Sequence, residues 1–234
     1  MSKVWDMLIF QDFPFEMGSL SSLGVGDVDG DGNQEVITGG HGVLLWFRPA
    51  TFEHGIIARA DFNVGLAVED VDLDGQLEVV VGESAPGTQR WAITWYKVSG
   101  DIRQPWKRFV IEPEFKGGPH DIIFADIDGD GQREMLSIAC YTKTPGIFIF
   151  KRGSDRTAPW NRHAVQEGYF TEGLNVGDLD GDGKPEIVCG PDWYKMPSAG
   201  PYSGHWQRRI YAPNFREMCR TALVDITGNG RPDI

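Results

Sequence analysis

Asp27-Val28-Asp29-Gly30-Asp31-Gly32-Asn33-Gln34-Glu35 places carboxylates at positions one, three, five and nine of a nine-residue stretch, with glycine at six. Nearly the same stretch returns at Asp70, Asp126 and Asp178, and in weakened form at Asp225. In a tight loop the side chains at one, three and five turn inward around one point, and glycine takes the sharp bend at six. The carbonyl of position seven then faces that point, and the acid at nine adds further oxygen. The predicted ligands of the first loop are Asp27, Asp29, Asp31, Asn33 and Glu35. In the second they are Asp70, Asp72, Asp74, Gln76 and Glu78, and in the third Asp126, Asp128, Asp130, Gln132 and Glu134. The fourth offers Asp178, Asp180, Asp182, Lys184 and Glu186.

An oxygen-only, carboxylate-rich set selects a hard cation, Ca²⁺ ahead of Mg²⁺ because the loop is flexible and rich in ligands. Mg²⁺ is the alternative for a chain that works where free calcium is scarce. The spacing excludes an EF-hand, whose closing glutamate stands at position twelve and whose loop joins helices. Asp-Gly pairs also make plain turns, but a turn needs one aspartate, not three and a distal acid. The fifth stretch, Asp225 to Asp233, has Thr227 and Asn229 where the others have carboxylates, which predicts weak binding there. Loop two has Leu73 where the others have glycine, a change that tightens the loop without removing a ligand. Left empty, such loops hold like charges together, so metal is expected to stabilise the fold.

The first aspartates are 43, 56, 52 and 47 residues apart. An aromatic anchor precedes each loop at a near-constant interval: Trp5, Phe52, Trp106, Trp160 and Trp206 lie 22, 18, 20, 18 and 19 residues upstream. Between anchors the texture is that of short strands. An apolar run ends at each loop (Ile122-Ile123-Phe124-Ala125), a second follows it (Glu78-Val79-Val80-Val81), and a third is aromatic (Ile147-Phe148-Ile149-Phe150). Four short strands in a unit of roughly 40–50 residues define a β-propeller blade, whereas solenoid repeats with strands are usually shorter. The expected fold is all-β, a propeller of four-stranded antiparallel blades. Its units are 16–58, 59–112, 113–166, 167–212 and a partial 213–234 in one domain. Four units and part of a fifth do not close a ring, so the sequence is expected to be a piece of a larger propeller of about seven blades.

The net charge of −12 belongs to the loops. They hold 16 of the 34 acidic residues, and the other 18 against 22 basic residues would leave +4. No basic stripe suits a nucleic acid, and no segment is long and apolar enough to insert in a membrane. Three cysteines, Cys140, Cys189 and Cys219, make no disulfide framework. The start, Met-Ser-Lys-Val-Trp-Asp-Met, lacks the apolar run of a signal peptide and implies a cytoplasmic chain; a secreted chain trimmed of its leader would look identical.

The four loops Asp27–Glu35, Asp70–Glu78, Asp126–Glu134 and Asp178–Glu186 resemble the calcium loops of FG-GAP/VCBS-repeat propellers, including integrin α-subunit heads. The Phe-Gly and Gly-Ala-Pro motifs that name the integrin repeats are absent. The chain is also similar, more weakly, to the propeller domains of some polysaccharide lyases and sugar dehydratases. That second likeness implies chemistry at the channel mouth, with His120 or His41 as base, Tyr141 as acid, and Arg220 or Lys143 stabilising an enolate.

Antiparallel blades put the loops entering the first strand and leaving the second on the face opposite the metal loops. His41, Glu83, His120, Tyr141, Lys143, Glu172, Asp192, Trp193 and Arg220 fall there. Polar, variable loops on a rigid scaffold are a usual address for a site. The expected ligand is a carbohydrate or another small polar molecule, given the aromatic, acidic and amide groups, with a protein partner as a further class.

Overall fold

The computed structural model describes residues 20–169, 171–215 and 219–234, so the anchor Trp5 lies outside the described residues. Among the described residues, sixteen strands form four antiparallel sheets, each in strict chain order. The first holds β1 (Leu20–Gly26), β2 (Glu35–Gly40), β3 (Val43–Phe47) and β4 (His54–Ala58). The second holds β5 (Asp61–Glu69), β6 (Glu78–Ser84), β7 (Trp91–Lys97) and β8 (Lys107–Phe115). Next come β9 (Gly118–Ala125), β10 (Glu134–Cys140), β11 (Gly146–Lys151) and β12 (Asn161–Glu167). The last holds β13 (Leu174–Gly177), β14 (Glu186–Cys189), β15 (Asp192–Lys195) and β16 (Gln207–Ile210). Each of the first four acidic loops joins the first and second strands of its sheet. The described residues contain no helix, and so none long and apolar enough to cross a membrane.

Burial explains which run became which strand. β10 is buried throughout, because a middle strand is covered on both faces by the neighbouring sheets. β16 (Gln-Arg-Arg-Ile) is exposed along its length, and β8 and β12 begin with exposed charged or polar residues. Charges on an outer edge keep it from pairing with another chain. Three apolar clusters fill the gaps between sheets. Trp46, Ile37 and Val81 join the first pair, Trp95, Phe115 and Phe150 the second, and Ile138, Ile187 and Tyr194 the third. Full burial of each such side chain contributes about 1.5–3 kcal/mol.

The first strands approach closely. A Cβ on Gly24 of β1 would lie 2.4 Å from Leu66 of β5, and one on Gly65 of β5 would lie 2.7 Å from the Pro119 carbonyl of β9. Residues of β1, β5, β9 and β13, with Arg220 and Thr221, line one common cavity of about 360 Å³. The four sheets are thus blades of a propeller-like fold, with their first strands facing the axis. Among the described residues after β16, Val224 and Asp233 form an isolated bridge across the fifth loop.

Trp106, Trp160 and Trp206 are buried just ahead of the outer strands. Trp106 and Trp206 donate their indole N–H to Ile102 O and Pro201 O, at 3.0 and 3.1 Å. Phe52 departs from this pattern. It is exposed, at φ 62°, in a turn closed by its own N–H to Arg48 O at 2.9 Å. The short β3–β4 connection leaves no room for a buried anchor there.

Candidate metal cages and axial cavity

The loops are built on their own backbones. At position one, Asp27 accepts the N–H groups of Gly30 (2.8 Å), Asp31 (3.1 Å) and Gly32 (2.9 Å). Asp178 accepts the same three in its loop, while Asp70 accepts the N–H groups of Asp74 and Gly75, and Asp126 those of Gly129 and Gly131. At position nine, one oxygen of each glutamate accepts the N–H of position two: Val28 to Glu35 (3.2 Å), Val71 to Glu78 (2.8 Å), Ile127 to Glu134 (2.9 Å) and Leu179 to Glu186 (2.8 Å). At position seven the N–H groups of Asn33, Gln76, Gln132 and Lys184 reach Asp31, Asp74, Asp130 and Asp182.

Carboxylate oxygens from positions one, three and nine converge to within 4.8 Å of one another in all four loops. Position five is more exposed and stands outside this converging group. Burial pushes the carboxyls of Glu35, Glu78 and Glu134 up, Glu78 to about 7. The position-five groups Asp31, Asp74, Asp130 and Asp182 are held down, by the N–H of position seven or by an adjacent lysine. Asp72 Oδ1 and Glu78 Oε1 are buried without an aligned hydrogen bond. Three converging carboxylate oxygens, with the position-nine glutamate desolvated, fit a hard cation, so these acidic clusters could hold a metal ion.

The loops are not bare of positive charge, as the acid count alone had implied. Arg48, Lys97, Lys151 and Lys195 reach into them. In the fifth loop, Asp233 accepts the N–H groups of Ile226 (2.9 Å) and Thr227 (3.1 Å) and the Thr227 hydroxyl (3.2 Å). A hydroxyl there replaces a carboxylate, and the turn closes on itself.

On the opposite face the axial cavity is lined by two of the expected ligand residues, His120 and Arg220, around Asp121, which has no place in the sequence reading, and Glu172 lies beside His120. Asp121 accepts the N–H groups of Gly173 (2.9 Å) and Leu174 (3.2 Å) and is paired with Arg220 at 2.9 Å. His120 Nδ1 lies 3.4 Å from Asp121, and its Nε2 lies 3.3 Å from Glu172. His120 and Glu172 are buried, and Arg220 is largely exposed. Burial alone would push the Asp121 carboxyl up, but His120, the Gly173 N–H and Arg220 outweigh it and hold it below the usual range. Cys140, also missed, lies beneath; with His120 and Glu172 it offers N, S and O atoms within 4.8 Å. Burial and the nearby Glu172 and Asp121 carboxylates push its thiol up. A signal for Asp121 existed in the sequence: it stands five residues before a first loop aspartate, the column that also holds Arg220.

The other expected ligand residues lie elsewhere. Glu83 accepts from Tyr96 (2.7 Å) and Arg108 (2.8 Å). Asp192 is fully buried, 2.9 Å from Arg208, while Trp193 stacks under the Arg209 guanidinium. His41 is exposed, 3.5 Å from Asp61, and Lys143 is exposed on the loop after β10. Tyr141, at φ 55° and 74 % exposed, borders a separate groove with Asn63, Gln89 and Trp91.

Propeller blades with an acidic loop between first and second strands define a class of repeat scaffold, and comparison with known proteins agrees. Residues 70–137 match the FG-GAP-like repeat family. The fold resembles that of the V. cholerae biofilm matrix protein Bap1, at 18 % identity and a TM-score of 0.54. The likeness covers 97 % of this chain and 36 % of that one, so the chain spans little more than a third of that protein. No curated protein matches the sequence.

Proposed function

We propose that the chain is a calcium-binding propeller scaffold whose axial cavity takes a small polar ligand, with acidic carbohydrate as the class. The observation that carries this reading is the convergence of four blades and residues 220–221 on one polar cavity opposite the cages. Arg220 offers a partly exposed cation for a sugar carboxylate, while the Asn175 amide and Thr221 hydroxyl hold each other at 2.7 Å on the wall. In each cage the carboxylates at positions one, three and nine would hold calcium, which would supply structural cross-linking charge between the two ends of the loop. The test is calorimetry of the full chain with calcium and with uronic-acid oligosaccharides. Binding of both, with sugar affinity lost in Arg220→Ala and calcium affinity kept, is the expected result; sugar binding unchanged in that variant would sink the assignment.

A second reading, an enzyme acting on the same class of sugar, is favoured by one arrangement. His120 stands between two carboxylates, the geometry that orients an imidazole for proton transfer. β-Elimination from a uronic acid would give an unsaturated product absorbing in the ultraviolet. An absorbance rise abolished by His120→Ala supports this reading, and silence across acidic polysaccharides removes it.

A further inference from the structure

One basic residue stands at the end of the third strand of every blade, directly across from the position-nine glutamate. Phe47 pairs with Val36, Tyr96 with Val79, Phe150 with Met135 and Tyr194 with Ile187, so the next residue out faces Glu35, Glu78, Glu134 or Glu186. Those residues are Arg48, Lys97, Lys151 and Lys195, and each reaches the same three carboxylates. Lys97 Nζ lies 2.7 Å from Asp72, 2.6 Å from Asp74 and 3.1 Å from Glu78. Lys151 touches Asp128 and lies 3.0 Å from Asp130 and 3.3 Å from Glu134. Lys195 touches Asp180 and lies 2.8 Å from Asp182 and 3.1 Å from Glu186. Arg48 touches Asp29 and lies 2.9 Å from Asp31 and 2.8 Å from Glu35.

An exposed cross-strand ion pair is ordinary and contributes little. These are not of that kind, because the partner glutamates are buried and the oxygens involved are particular ones. In cage two, Asp74 Oδ1 accepts the Gln76 N–H and Glu78 Oε2 accepts the Val71 N–H. Only Asp74 Oδ2 and Glu78 Oε1 remain, and both face Lys97. The same division recurs with Asp130 and Glu134, with Asp182 and Glu186, and with Asp31 and Glu35. A metal held by positions one, three and nine therefore needs the position-nine oxygen that the basic side chain already holds, and one that also drew on position five would need a second.

We propose that Arg48, Lys97, Lys151 and Lys195 are tethered counter-ions of the cages, which a divalent ion must displace, so that they set metal affinity. The metal half of this statement rests on the calcium reading above; the counter-ion half does not. The test compares the full chain with Lys97→Gln and with the triple variant Lys97→Gln/Lys151→Gln/Lys195→Gln. Melting is followed in excess chelator and calcium binding by calorimetry. In chelator each replacement is expected to lower the melting temperature by about 2–4 °C. Loss of the competing charge is expected to raise calcium affinity about tenfold at the altered cage. An unchanged melting temperature in chelator overturns the counter-ion role, and equal or weaker calcium affinity in the variants overturns displacement. If neither protein binds calcium while the variants still melt earlier, the calcium reading fails and the counter-ions stand. Should the triple variant not fold, NMR of the wild-type lysine ammonium groups decides. Signals protected in chelator and released by calcium support the proposal; ammonium groups unprotected in chelator, or indifferent to saturating calcium, overturn it.

Discussion

Leu73 carries a backbone angle that its side chain resists. It sits at φ 58°, where Gly30, Gly129 and Gly181 occupy the same position of their loops at 75–77°. The left-handed region costs a non-glycine residue about 1–2 kcal/mol, because Cβ crowds the neighbouring carbonyl. Leu73→Gly removes that strain at the cost of a looser unfolded chain, about 0.5–1 kcal/mol. The net expectation is a melting temperature higher by about 1–3 °C with calcium binding retained. Calorimetric melting of the variant measures it, and a lower melting temperature would show that the leucine packs usefully. Asp121 gives a prediction with a sign in pH. Folding favours its ionised form, so its stabilisation is present above the unfolded carboxylate range near pH 4 and disappears as pH falls below it. Asp121→Asn should therefore lose about 1.5–3 kcal/mol at pH 7, and the gap to wild type should close towards pH 3. Urea melts at the two pH values decide; a gap that persists in acid means the loss is one of packing.

Between elements, the close approach of the first strands is the step most sensitive to a single atom. A Cβ on Gly65 would meet the Pro119 carbonyl at 2.7 Å and that of His120 at 3.2 Å, and backbone cannot swing aside as a side chain can. Gly65→Ala should cost about 1–3 kcal/mol by forcing β5 and β9 apart. It should also disturb the His120 ring, which is visible as a shift in its NMR resonances; a variant as stable as wild type would mean the blades slide freely. Strand order and acidic loops were legible in the sequence because each is written several times, so that periodicity averages out local accident. By spacing Phe52 is equivalent to the tryptophans, since spacing cannot tell a buried aromatic from one on a turn. The counter-ions escaped notice although Phe47-Arg48, Tyr96-Lys97, Phe150-Lys151 and Tyr194-Lys195 spell them out. Counting acids alone treated each loop as separate from the strand that faces it. Asp121 was passed over because its partners, Arg220 and the Gly173 N–H, are far off in the chain and meet only when blades stack.

At the scale of the whole molecule, the acidic cages gather on one face and the axial cavity lies on the other, with the blades running between them. Each cage has four carboxylates against one tethered cation, so it keeps a negative excess that a divalent ion would reduce further. The loops nonetheless hold their shape through backbone N–H bonds to positions one and nine, and neighbouring blades brace them. Gln76 donates to Val28 O at 2.8 Å, and Tyr202 donates to Asp128 at 3.0 Å. Metal removal is therefore expected to loosen the propeller without unfolding it. A ligand that binds only the folded chain at 100 times its dissociation constant adds about 2.7 kcal/mol per site. Several occupied cages should then raise the melting temperature in steps as calcium is titrated into chelated protein. The circular dichroism of the chelated form should remain that of a β-protein. A melting curve indifferent to both chelator and calcium would show that the tethered cations alone satisfy the cages.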